Sequence, residues 1–123
     1  MSLFDKVLHR FHDILTGGQI LWYEKAYNDC RDGMGHSDAH PEVETHFEII
    51  RQAIESPSNI TEDKDYRDRN CYYAWFSGGH DYQTKPHMKV VVRVRKNKKK
   101  NVITAYFCDY GGSNERQIPW KTN

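Results

Sequence analysis

The stretch Met88–Phe107, MKVVVRVRKNKKKNVITAYF, restricts what this chain can fold into more than any other. It contains two runs that alternate in polarity, separated by a polar and charged segment. Successive side chains of a strand point to opposite faces. In the first run Met88, Val90, Val92 and Val94 therefore share one side, and Lys89, Val91, Arg93 and Arg95 the other. In the second, Ile103, Ala105 and Phe107 oppose Val102, Thr104 and Tyr106. Lys96 to Asn101 reads as the hairpin loop. Matching the apolar sides predicts the cross-strand pairs Val94/Ile103, Val92/Ala105 and Val90/Phe107, with Arg93 opposite Thr104, Arg95 opposite Val102 and Val91 opposite Tyr106. One face is then apolar. The other presents Lys89, Arg93, Arg95, Thr104 and Tyr106, a cationic, hydroxyl-bearing surface suited to a polyanion. The plainer alternative is an ordinary solvated sheet face.

With 123 residues the chain has room for one core and is expected to form one domain. Its net charge of +1 hides an asymmetry. Residues 1–68 hold seven Lys/Arg against fourteen Asp/Glu, whereas residues 69–123 hold eleven against three. The C-terminal half alone has the electrostatics of a nucleic-acid binder. No apolar run approaches the length of a membrane span. The start lacks a signal-peptide pattern. The three cysteines, Cys30, Cys71 and Cys108, are odd in number and contain no CxxC pair, so a reduced cytoplasmic protein is expected.

Upstream of the hairpin, three helices are predicted. Ser2–Leu15 carries Leu3, Val7, Phe11 and Ile14 on one stripe and ends at Gly17-Gly18. Gln19–Arg31 follows, and then Pro41 to about Ser56, with Val43, Phe47, Ile50 and Ile54 aligned and Pro57 as its stop. Asn70–Phe76 is bulky on both sides and reads as a strand covered on both faces. For the tail from Tyr110 two outcomes are expected: anchoring by Ile118 and Trp120, or a short fourth strand. The expected fold class is α+β: N-terminal helices followed by a three- to four-stranded antiparallel sheet with a helix packed on one face. Residues 1–35 would be a helical extension, 36–108 the core and 109–123 a C-terminal tail.

A series of short pieces runs through that core: His40-Pro41-Glu42-Val43, an amphipathic helix closed by Pro57, Ile60 with an acidic residue after it, Tyr72-Tyr73, Lys89-Val90-Val91-Val92 and Ile103-Thr104-Ala105-Tyr106-Phe107. In this order and spacing the series resembles the small phage-type nucleases of the barnase–EndoU–colicin–RelE superfamily, over roughly residues 36–108. The resemblance implies a helix packed on an antiparallel sheet and an active site on the exposed sheet face. It also implies metal-independent, toxin- or phage-type cleavage of RNA, in which the 2′-OH attacks its own phosphate. Catalytic residues vary between branches of the superfamily, so only the matching positions carry over: His40, Lys89, Thr104 and Tyr106.

That reaction needs a base, an acid and groups that stabilise charge on the phosphorane. Histidine titrates near neutrality and suits the first two roles. His36, His40 and His46 cluster at the start of the third predicted helix, with His40 at its N-cap, where a phosphate could be held. A merely capping His40 with solvated neighbours is the bland alternative. Arg93 opposite Thr104 can clamp a phosphate. Tyr106 and Tyr73 can stack on bases, although Tyr73 fits a core position equally well. Arg95, Lys96, Lys98, Lys99 and Lys100 are expected to bind RNA through counterion release, unless the tip is a solubilising turn. His36, Asp38, His40 and His46 match no common zinc spacing, so neither a metal nor a cofactor is expected. His80, Asp81 and His87 have no fixed place, and the cysteines lack the surroundings of a nucleophile. The leading expectation is thus a metal-independent ribonuclease with RNA and an antitoxin or other acidic protein as partners. The alternatives are a non-catalytic RNA- or protein-binding module, and a protein that dimerises through its N-terminal helices.

Overall fold

Strand alternation, not helical periodicity, governs the first residues of the folded chain. The computed structural model describes residues 5–34, 38–76 and 85–120. It begins with a hairpin of β1 (Val7–His12) and β2 (Gln19–Tyr23), followed by α1 (Glu24–Asp32), α2 (Glu42–Thr45) and α3 (Phe47–Glu55). Four strands complete it: β3 (Asn59–Glu62), β4 (Arg69–Trp75), β5 (His87–Val94) and β6 (Lys100–Cys108). All six form one mixed sheet in the order β1-β2-β6-β5-β4-β3, antiparallel except where β2 runs parallel to β6.

This corrects the expected fold class of N-terminal helices on a three- to four-stranded antiparallel sheet. Residues four apart lie on one face under both periods, so the spacing of Val7 and Phe11 does not distinguish helix from strand. In the structure a bulge between Val7 and His9 separates them, Phe11 pairing with core-facing Ile20 and Val7 with Tyr23 on the other face. Phe11, Ile20 and Trp22 are fully buried in the main core, while Leu21 and Tyr23 between and after them are only partly covered. Gly17-Gly18 is a hairpin turn rather than a helix stop, with Gly17 at φ 80°. The first predicted helix therefore does not form, and of the second, Gln19–Arg31, the part from Glu24 onward is helical. Residues 7–32 complete the sheet and its core rather than extending from it.

The three helices cover one face of the sheet, and the main core lies between. Val43, Ile50, Ala53 and Ile54 pack there against Tyr72, Ala74, Met88, Val90, Val92 and Val102. The predicted single helix from Pro41 is broken at His46, whose φ of −125° and ψ of 41° are not helical, leaving a four-residue α2. His40 precedes the Pro41 cap, and its N–H donates to the Cys30 carbonyl at 2.8 Å. The expected phosphate site at a long helix N-terminus is therefore absent.

β5 keeps the predicted faces, but β6 does not throughout, and the register differs as well. Val102, expected on the cationic face, lies in the main core, and Ile103, expected in that core, packs against Cys71, Tyr73 and Val91 on the other side. Val90 pairs with Ala105 and Met88 with Phe107, two residues from expectation, which conserves the pleat. Val91 pairs with Thr104 in that same register, and a bulge between Val91 and Val92 then shifts the pairing, so that Val92 faces Val102 and Arg93 faces Asn101. The turn is tighter than the polar composition implied. Arg95 N–H donates to the Lys99 carbonyl at 2.8 Å, Asn97 Oδ1 accepts from Lys99 N–H at 3.0 Å, and Lys98 adopts φ 70°.

β2 meets β6 only at Ile20↔Lys100 and Leu21↔Asn101. At that short join lies a buried ion pair, Lys100 Nζ to Asp13 Oδ2 at 2.7 Å, with side chains 8% and 1% exposed. Past the join, the edge of β6 is covered by helices instead of a strand. Cys30 Sγ accepts from Ala105 N–H at 3.5 Å, and Glu42 Oε2 accepts from Phe107 N–H at 3.3 Å. The edge thus gains partners for its backbone donors.

The C-terminal tail passes close to Tyr73 at Gly112 and then pairs with the outer edge of β3 through a Thr61–Gln117 bridge, with Ile118 and Trp120 packed against the main core. Ile118 N–H donates to Ile60 C=O at 2.8 Å, and Asn59 Nδ2 donates to Gly111 C=O at 2.9 Å. Gly112, at φ 80°, sits so close that a Cβ there would be 2.6 Å from Tyr73 Cε1. Gly112→Ala should therefore lower stability by about 1–3 kcal/mol through overpacking and backbone strain. Urea unfolding checks this. Gly18→Ala is the control, since its Cβ would approach only Thr16 Oγ1, at 3.4 Å, and it should stay within about 0.5 kcal/mol of the parent.

Candidate functional site

Alternation along β5 and β6 turns Lys89 and Tyr106 to the sheet face opposite the helices, and direct cross-strand pairing makes them neighbours. Lys89 Nζ lies 5.8 Å from the ring centroids of both Tyr106 and Tyr73. Burial works against the ammonium, but the surrounding Tyr106, Cys71 and Tyr73 groups hold its pKa above the usual lysine value. Lys89 is therefore a standing cation rather than a base.

His40 reaches this pair from the loop before α2. Its ring stacks on Tyr106 with centroids 5.2 Å apart and planes 25° from parallel. Its Nδ1 is 3.8 Å from Glu42 Oε2, and Glu42 is itself tied to Phe107 N–H on β6. The chain thus sets an imidazole beside a carboxylate on one side and a phenol on the other, with an ammonium one residue across the sheet. Such a group can accept or donate a proton, stabilise an anion, and bind phosphate without a metal. Among the described residues, no cluster of three or more His, Cys, Asp or Glu side chains is placed to hold a metal ion.

The remaining predicted site residues are dispersed. Arg93 and Thr104 do not form a clamp. Arg93 Nε pairs with Asp68 Oδ2 at 3.1 Å, whereas Thr104 Oγ1 is 3.2 Å from Cys30 Sγ at the covered edge of β6. His46 is on the helix side, edge-on to Phe76 and Phe107. Tyr73 is 1% exposed with Gly112 packed on its ring, so it is a core residue and offers no stacking platform. Burial first of all, against the opposing charge of Lys89, pushes its phenol up to about 12. Lys100 is committed to Asp13 and is withdrawn from any RNA-binding role. Arg95 donates to Asn101 Oδ1 at 3.1 Å, and Lys96, Lys98 and Lys99 are exposed at the tip.

Burial also raises the thiols of Cys30 and Cys108, and that of Cys71 to about 11, so all three stay protonated at neutral pH and none is an activated nucleophile. His36, His80 and Asp81 lie outside the described residues. Glu42 is the residue that sequence reasoning missed. Its place two residues after His40 in the His-Pro-Glu element is the available signal.

No family profile, curated protein or solved structure matches this chain. Among the described residues, no helix is long and apolar enough to cross a membrane.

Proposed function

We propose that the protein is a metal-independent ribonuclease whose active site is His40, Tyr106 and Lys89, with Glu42 positioning His40. The observation that carries this reading is the His40 imidazole stacked on Tyr106, with the Lys89 ammonium 5.8 Å from the centre of the same ring. In the reaction, His40 takes the proton of a ribose 2′-OH while that oxygen attacks the adjacent phosphorus. The O2′–P bond forms as the P–O5′ bond breaks, and the Tyr106 hydroxyl supplies a proton to the departing 5′-oxygen. The products are a 2′,3′-cyclic phosphate and a free 5′-hydroxyl, and the proton on His40 returns to Tyr106 through solvent. Lys89 lies where negative charge grows on the phosphoryl oxygens, and a fixed cation there is stronger than one in bulk water. The order of the motifs along the chain, similar to that of the barnase–EndoU–colicin–RelE superfamily, supports the same reading.

The test is digestion of an unstructured RNA oligonucleotide by EDTA-treated protein. Cleavage with 2′,3′-cyclic phosphate ends is expected, and a DNA oligonucleotide of the same sequence, lacking the 2′-OH, should remain intact. Intact RNA after prolonged incubation, or cleavage that appears only with added divalent metal, would sink the proposal. Salt-sensitive binding without cleavage would instead favour a binding module on the same fold.

A further inference from the structure

A second region of the molecule combines a groove, an aromatic ring and exposed lysines, at the far end of β6 from His40. An open groove of about 470 Å³ lies between the β1–β2 turn and the β5–β6 tip, lined by Gln19, Leu21, Tyr23, Lys98 and Lys99 with the Asp13–Lys100 pair at its base. Leu21 pairs with Asn101 on the sheet face that also carries Tyr106, so the groove opens beside the same face as the proposed site. Its charge is unbalanced. Asp13 is neutralised by Lys100, and neither Lys98 nor Lys99 takes part in an ion pair among the described residues. The arginine on the other flank of the tip, Arg93, is by contrast held by Asp68. Tyr23 contributes a partly exposed ring, and Leu21 an apolar wall beside it.

An aromatic face next to unpaired lysines is the combination that binds single-stranded nucleic acid, the ring stacking on a base and the ammonium groups following the backbone. Between Tyr106 and Lys100 lie six strand steps, roughly 20 Å at about 3.3 Å per residue. That span covers several nucleotides and falls within the range of about 4–16 nucleotides for single-strand sites on one small fold. We infer that this groove is a distal subsite for single-stranded RNA, so that the substrate is an extended strand running along β6 rather than an isolated dinucleotide. The inference takes its ligand from the ribonuclease reading, but its test does not require cleavage.

The decisive variant is Lys98→Asn/Lys99→Gln, in which Asn suits the positive φ at position 98. Anisotropy with a fluorescein-labelled twelve-nucleotide RNA, on a His40→Ala background, should show weaker binding and a log–log salt slope reduced by about 1.4, two phosphate contacts at about 0.7 each. Tyr23→Leu should weaken the same RNA by about tenfold with the slope unchanged, the mark of lost stacking. Where cleavage is present, the lysine variant should lose activity on the long RNA and keep it on a dinucleotide. Equal affinity for the twelve-mer in parent and variants overturns the subsite, as does an equal loss on long and short substrates. Polyglutamate binding as tightly as RNA, with the same dependence on Tyr23, also overturns it and points to an acidic protein partner. Absence of cleavage by the parent protein refutes the ribonuclease while the binding arms still decide the groove.

Discussion

Asp13→Ala is expected to lower the unfolding free energy by about 3–5 kcal/mol, the usual cost of stranding one member of a buried ion pair. The lost carboxylate accepts from Lys100 Nζ at 2.7 Å, Thr16 Oγ1 at 2.6 Å and Leu15 N–H at 3.0 Å. Removing it leaves the Lys100 ammonium, 8% exposed, without a counter-charge, and opens the β1–β2 turn that docks the N-terminal hairpin on β6. Urea unfolding measures the loss. Asp13→Leu combined with Lys100→Met should recover most of it, because an apolar pair of similar size needs no counter-charge. A single variant within about 1 kcal/mol of the parent would show that the pair does not hold the hairpin.

The same pair sets a pH dependence. Burial by itself would raise the Asp13 pKa, but the Lys100, Thr16 and Leu15 hydrogen bonds outweigh it and hold the carboxyl below its ordinary 3.8. The folded state therefore binds this proton less readily than the unfolded chain. The stabilisation is complete above the unfolded value and is lost as pH falls below 3.8 through the lowered folded value. Asp13→Asn should remove this part of the acid limb. An unchanged acid profile in that variant would contradict the assignment.

His40→Ala should reduce RNA cleavage by about 10²–10⁴-fold, the range for loss of one general acid–base group. The side chain is half-buried at the surface end of the site, so the fold should tolerate its removal. Two readouts separate chemistry from packing. The variant should lose the pH dependence contributed by an imidazole, and added imidazole should restore part of the rate, whereas a structural defect would do neither. Glu42→Gln should produce a smaller loss, because Glu42 acts through His40. Parental activity in His40→Ala would remove the histidine from the mechanism.

Much of this molecule could be read from local pattern. Met88, Val90 and Val92 face the core, and Lys89 and Arg93 face away, as alternation required. The β4 segment has Cys71 to Ala74 buried on both faces, as its bulk on each side implied. The register was out of reach, because the bulge between Val91 and Val92 and the positive φ at Lys98 are invisible to polarity. The N-terminal strands were missed for a related reason: Val7 and Phe11 satisfy helix and strand periods alike, and only pairing across the sheet separates the two. In the candidate site, His40, Lys89 and Tyr106 were individually legible, but their union was not. His40 and Tyr106 stack across a large separation in sequence because Glu42 and Cys30 fix the intervening helices along the edge of β6.

The sequence by itself determined which face of β5 is apolar and where the cationic hairpin lies, since these follow from side-chain order along an extended backbone. Tertiary structure alone decided which cations remain available. Lys98, Lys99 and Lys100 are identical neighbours in the chain, yet Lys100 is sealed against Asp13 at the β2–β6 join while the other two face the groove. Local sequence cannot distinguish them, because the choice depends on a strand pairing and a buried carboxylate that arrive from the other end of the chain.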